Sequence, residues 1–295
     1  MLNPKYDSFS PFDLSVFDRA SHVAVMQAFF DASEGGGYLT VGGYLFRKKH
    51  IKPFTKRWRA MLRKFGIEYF RMTECNTASG EFSNKGEQEC DQCARTAIPI
   101  ITDYATSGIT ATVDIGAFEQ SGLTDFMQSP FSLAAYSALV GCRQWAEAND
   151  LVARVFYVFE AGDDYQSDAN QLLNSISEDA ERRQTYYYED HAFLTKRGSL
   201  PTQAADILAW HARKQWGRED RGIEHLRGDF SELVDKVETK KFIWDEQYLR
   251  EMHEESAAAT GSEDWAKVVG KQLRRTASNA RRIDREVAAI LERVR

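Results

Sequence analysis

The sequence predicts a mixed α/β fold, a sheet with helices on both faces, and three observations carry that expectation. The stretch Ala24 to Phe30 (AVMQAFF) has six apolar residues in seven, a richness suited to a strand buried on both sides. Ala153 to Phe159 (ARVFYVF) is a second stretch of this kind, and an acid follows each, Asp31 and Glu160. Between and after them, short apolar runs alternate with segments long and amphipathic enough to be helices.

Taken in order, residues 1–22 contain Pro4 and Pro11 and read as an irregular segment. The first strand leads through Gly35, Gly36 and Gly37 into YLTVGGYLF (Tyr38 to Phe46), so strand, turn and strand form a hairpin. A basic stretch becomes helical after Pro53 and is ended by Gly66. IEYFRM (Ile67 to Met72) is expected as a short strand leading to Glu74, and a helix follows from about Glu87. GITATVDIG (Gly108 to Gly116) alternates like a strand, and FSLAAYSALVGCRQWAEA is a long apolar helix. Beyond Glu160 come a helix to about Arg183 and a short strand, His191 to Lys196. Pro201 then opens the helix QAADILAWHARKQW. In that helix Ala204, Ile207, Leu208 and His211 are expected against the sheet, with Gln203, Asp206, Trp210 and Arg213 rotated away. This layout divides the chain into the N-terminal segment, a main domain over residues 23–217, and a charged helical extension over residues 218–295.

Composition narrows the setting. No run approaches the roughly 18 apolar residues of a membrane span. The first residues have neither the basic start nor the apolar block of a secretory signal. Four cysteines are too few for a disulfide scaffold of 295 residues, so a cytoplasmic location is expected. The net charge of −6 is unevenly spread: Lys267 to Arg295 carries nine basic and three acidic residues, leaving −12 for the remainder. Trp265, Val269, Leu273, Ala277, Ala280, Ile283, Val287, Ile290 and Val294 form an apolar stripe there, suited to the body, a second copy or a partner protein.

The candidate chemistry lies in four acids at comparable places: Asp31 after the first strand, Glu74 after the third, Glu160 after the later buried strand, and Asp206 in the first turn of a helix. An acid at the end of a buried strand is costly unless it meets a cation. Oxygen-only ligands suit magnesium or manganese, and two such ions roughly 3.5–4 Å apart can drive phosphodiester hydrolysis. The segment Arg47 to Lys64, with Lys48, Lys49 and Arg57 beside Phe54 and Trp58, is the candidate for gripping phosphates.

Four segments together, FFDASEGG…LTVGGYLF, EYFRMTE, FYVFEAGDD and LPTQAADILAW, resemble the family catalogued as domain of unknown function 3800. The resemblance spans roughly residues 24–216 and implies a ribonuclease-H-like fold and a metal-dependent nuclease, of a kind carried near mobile elements and phage defence genes. Asp31 matches the family's first acid, and Gln203 and Asp206 match its closing Leu-Gln-x-Ala-Asp stretch. The chain departs at Ala32, where an acid is common and for which Glu34 is the substitute two residues on, and at Met72 and Thr202. The resemblance thus implies Asp31, Glu160 and Asp206 as ligands of Mg2+ or Mn2+, Glu34 or Glu74 as a fourth acid, and Gln203 as a substrate contact. Nucleic acid, DNA or RNA, would be the substrate. The rival readings are a non-catalytic nucleic-acid-binding or defence-complex subunit on the same fold, and a metal-dependent hydrolase of small phosphate esters.

Other constellations are weaker. Cys75, Cys90, Cys93 and Cys142 could form a zinc site, but there is one close pair and it lies one helical turn apart. The glycine triplet precedes a strand, so it is a hairpin turn and not a phosphate loop. His211 reads as a core histidine, and YYYEDH (Tyr186 to His191) as packed rings ahead of a base-stacking platform.

Overall fold

The computed structural model describes residues 23–258 apart from 126, 163, 164 and 224. The N-terminal segment 1–22, the apolar stripe after Glu263, and Asp163 and Asp164 lie outside the described residues. Six strands form one sheet: β1 (Val23–Gly35), β2 (Tyr38–Arg47), β3 (Ser107–Asp114), β4 (Val152–Glu160), β5 (Tyr188–Leu194) and β6 (Thr239–Trp244). Their order is β5-β4-β1-β2-β3-β6, with β2 antiparallel to β1 and β3 while β4, β5 and β6 run parallel to their neighbours. Gly36 and Gly37, at φ 68° and 86°, make the two-residue hairpin turn that β1 and β2 need.

Alternation along the strands sends side chains to two cores. Met26, Ala28 and Phe30 of β1 join Tyr157 and Phe159 of β4 under α5 (Pro130–Ala148) and α6 (Gln166–Ser177). On the other face, Phe29, Tyr44, Phe46 and Val158 pack with α1 (Lys48–Phe65), α3 (Glu87–Tyr104), α8 (Leu200–Glu219) and α9 (Gly228–Lys236). The smaller helices are α2 (Met72–Thr77), α4 (Ile115–Gln120), α7 (Ala180–Thr185) and α10 (Glu246–Ala258). No helix among the described residues is long and apolar enough to cross a membrane.

Three expectations are corrected. Ile67 to Arg71 is not a strand: the backbone N–H groups of Phe70 and Met72 donate to the side chains of Gln203 and Asp206 and not to a neighbouring strand. The region after residue 217 is not wholly a helical extension. It returns to the sheet as β6, whose Lys240, Phe242 and Trp244 turn inward beside β3. Helix α8 is buried nearly all round, from Pro201 to Ala212. The side holding Ala209 and Arg213 lies on the sheet: a Cβ at Gly42 would stand 2.7 Å from the Ala209 backbone, and Arg213 donates to Ser33 Oγ at 2.9 Å and Gly35 O at 3.1 Å. Ile207 and His211, expected there, instead line a crevice.

Candidate functional site

The register of the parallel pair β1–β4 builds the first half of the site. Phe30 pairs with Phe159, so one step on Asp31 and Glu160 stand side by side and point to the α8 face. Asp31 is 2% exposed, and β1 continues past it to Gly35, so it lies inside the strand and not at a free end. Next in the sheet, Glu160 pairs with Leu194 of β5, and Lys196 follows two residues later on the same face.

From above, Asp206 enters in the second turn of α8, 6% exposed, its Oδ2 accepting from the Met72 N–H. Asp206, expected in the first turn of its helix, stands one turn later. The small residues Gly42 and Ala209 let α8 lie close on β2, and that approach puts Asp206 over the strand ends.

The three acids converge on one cation. Lys196 Nζ lies 2.7 Å from Asp31 Oδ2 and 3.3 Å from Asp206 Oδ1, and it also donates to Glu160 Oε2. All four side chains are nearly enclosed, with exposures from 0% for Asp31 to 13% for Glu160. Burial is the largest influence on both strand acids. In Asp31 it prevails over the Lys196 charge and pushes the carboxyl well above the usual carboxylate range. In Glu160 a hydrogen bond from Asp31 and the Lys196 charge outweigh it and hold that carboxyl below its usual value. Burial also opposes the Lys196 ammonium, but Asp206, Asp31 and Glu160 together hold its pKa far above that of an ordinary lysine. Arg71, exposed beside the cluster, is affected in the same way: Asp206, Glu160 and Asp31 overcome its partial desolvation and strengthen its charge. Arg197, also exposed, pairs with Glu68 at 3.1 Å and lies over the Tyr69 ring.

Gln203 is fully buried, which keeps its side chain from reaching a substrate. Its Oε1 accepts from Trp58 Nε1 at 2.8 Å and Phe70 N at 3.0 Å, while its Nε2 donates to Lys196 O at 2.6 Å. It ties α1, the Ile67–Arg71 segment and the loop carrying Lys196 to one point, so its place is that of a positioning residue.

The other expected site residues are elsewhere. Glu34 points to the opposite face of the sheet and accepts from the Tyr165 hydroxyl. Glu74 lies on α2, accepting from Tyr69 Oη and from Glu81 N, both at 3.0 Å. Lys48 and Lys49 start α1 beyond Arg47, which pairs with Met26, five residues before Asp31, or about 16 Å along the strand. Arg57 pairs with Asp103 and covers the Tyr104 ring. Lys196 and Arg71 were not singled out from the sequence. Lys196 ends the run expected as the last strand, so the strand-end criterion that found Asp31 and Glu160 applies to it equally.

The zinc arrangement is not formed. Cys75, Cys90 and Cys93 are buried on the α8 side and Cys142 on the far side of the sheet, and burial pushes their thiols up, that of Cys93 to about 12. Among the described residues, no group of three or more His, Cys, Asp or Glu side chains stands ready as a metal cage. In the acid cluster the central position belongs to the Lys196 ammonium. Tyr186 and Tyr188 are buried, with the Tyr186 hydroxyl bonded to that of Tyr136, so the rings are packed as expected.

A second feature lies along α8. Ile207 and His211, with Cys90 and Ala94 of α3 and Asp229 of α9, line a cavity of about 890 Å³. His211 Nδ1 is buried without a hydrogen-bond partner, 3.7 Å from Asp229 Oδ2. Burial lowers the His211 pKa to about 4.

No family model, curated protein or solved structure matches the chain.

Proposed function

We propose that this chain is a metal-dependent phosphodiesterase acting on nucleic acid, built on a ribonuclease-H-like sheet. The observation that supports it most is the convergence of Asp31, Glu160 and Asp206, from two adjacent parallel strands and a helix laid across them, on a single enclosed cation. The strand order β5-β4-β1-β2-β3, with β2 alone reversed, is the part read as ribonuclease-H-like. Open sheets of this kind place their sites near the carboxyl ends of parallel strands, and β4 ends at Glu160 with Asp31 of β1 beside it.

The donor chemistry fits the implied metal. The acids of the cluster offer only hard carboxylate oxygens, the donor type that magnesium and manganese take. Asp31, Glu160 and Asp206 would hold the ion. When bound, a hard divalent cation supplies Lewis acidity toward a phosphoryl oxygen and makes water nucleophilic at neutral pH. Arg71, exposed and coupled to all three acids, would hold the phosphate backbone by charge-assisted hydrogen bonds. Gln203 fixes the backbone from which Lys196 projects. Four buried free thiols suit a reducing compartment and hence the cytoplasm.

The Lys196 ammonium also favours a second reading: a binding subunit in which lysine neutralises the acids permanently and no cleavage occurs. One experiment separates the two. Purified protein is incubated with end-labelled single- and double-stranded DNA and RNA, with manganese or with a chelator, beside Asp206→Asn. Cleavage that needs manganese and is absent from the variant supports the hydrolase. Retention of nucleic acid without cleavage of any substrate supports the binding subunit.

A further inference from the structure

We infer that Lys196 is a tethered counter-ion that a divalent metal must displace, so that this lysine sets how tightly the site takes metal. The inference rests on the reading above that the three acids form a metal site, and adds a role for a residue which that reading leaves unexplained. An ammonium has three donor hydrogens. Lys196 donates hydrogen bonds to Asp31 Oδ2 and Glu160 Oε2 and pairs with Asp206 Oδ1 at 3.3 Å, so its charge is directed into the cluster. Among the described residues, no other basic side chain forms an ion pair with these acids. Three acids, the third brought in from a separate helix, meet this one buried ammonium, while the nearby Arg71 is exposed and feels all three acids from outside the cluster.

A metal coordinated by these three acids would use the oxygens that Lys196 Nζ now occupies, 2.7 Å from Asp31 Oδ2 and 3.3 Å from Asp206 Oδ1. Metal entry therefore requires the ammonium to leave. The side chain is suited to that movement: four flexible carbons carry the charge. Its main chain is meanwhile held by the Gln203 amide on the Lys196 carbonyl at 2.6 Å. The residue sits in the loop between β5 and α8, next to the exposed Arg197 and Gly198.

The test titrates manganese calorimetrically into metal-free wild-type protein, Lys196→Met and Lys196→Gln. Lys196→Met keeps most of the stem without the charge, and Lys196→Gln keeps hydrogen bonding. Both variants should bind manganese about tenfold or more tighter than wild type. Without metal they should melt below wild type, and manganese should raise their melting temperatures more. A measurement on wild type covers the case in which neither variant folds without metal. Lysines are acylated with a water-soluble ester and mapped by peptide mass spectrometry. Lys196 should be protected in the metal-free protein and labelled at saturating manganese. Equal or weaker affinity in the variants, or a Lys196 still protected when wild type is saturated, overturns the inference while leaving the metal site standing. Absence of manganese binding in all three proteins overturns the metal site and the inference with it.

Discussion

Replacing Gln203 with leucine tests the positioning role most sharply, because the change nearly conserves volume while removing three buried hydrogen bonds. The Trp58 indole N–H, the Phe70 amide and the Lys196 carbonyl would each lose a partner inside the fold, at about 1–3 kcal/mol apiece. Relaxation and water entry keep the sum toward the lower end, so the expected loss is about 3–5 kcal/mol, a large share of the 5–15 kcal/mol typical of a domain. Urea unfolding followed by tryptophan fluorescence and far-ultraviolet circular dichroism measures it. Manganese affinity should weaken as well, since the Lys196 loop and the Ile67–Arg71 segment lose their common anchor. A stability loss below about 1 kcal/mol, with activity abolished, would refute the reasoning and return Gln203 to direct substrate contact.

Three further predictions follow from the same geometry. Burial raises the Asp31 carboxyl in the folded protein, so its stabilising contribution is present at low pH and lost as pH rises through that raised value. Asp31→Asn should remove this decline and melt higher than wild type without metal at neutral pH while losing manganese binding; a lower melting temperature there would contradict the assignment. Gly42→Ala sets a Cβ against the α8 backbone and should cost about 2–3 kcal/mol and weaken manganese binding by shifting Asp206, whereas wild-type stability would show that the helix does not lie so close. His211, lowered by burial to about 4, contributes stability present above its unfolded value near 6.5 and lost as pH falls toward 4, roughly 3 kcal/mol in all. His211→Gln should flatten that acid limb in unfolding measured from pH 7 to pH 4, and an unchanged slope would place the pH dependence elsewhere.

The sequence made the strands of the central hairpin and β4 legible because their apolar runs are long and end in turn residues or an acid. Asp31 and Glu160 followed from that pattern. Their adjacency depended on a parallel register between segments 129 positions apart, which no local pattern contains. Ile67 to Arg71 alternates like a strand, and only the structure shows that its donors are used by Gln203 and Asp206, more than 130 residues away. The face of α8 was misjudged because a hydrophobic stripe orients a helix only when its other side meets water, and α8 is enclosed on all sides. Alanine and glycine, with little hydrophobic weight, decided which side met the sheet. Strand β6 was concealed by Lys240 and Lys241, although Lys240 is buried in the alternation with Phe242 and Trp244.

The central claim is that Asp31, Glu160 and Asp206 form one divalent-metal site, and crystals soaked in manganese test it most directly. Anomalous scattering should give a peak between the three carboxylates, at or beside the position Lys196 Nζ holds in the metal-free protein, with the lysine side chain moved away. A map without that peak at saturating manganese, with Lys196 still bonded to all three acids, would contradict the account.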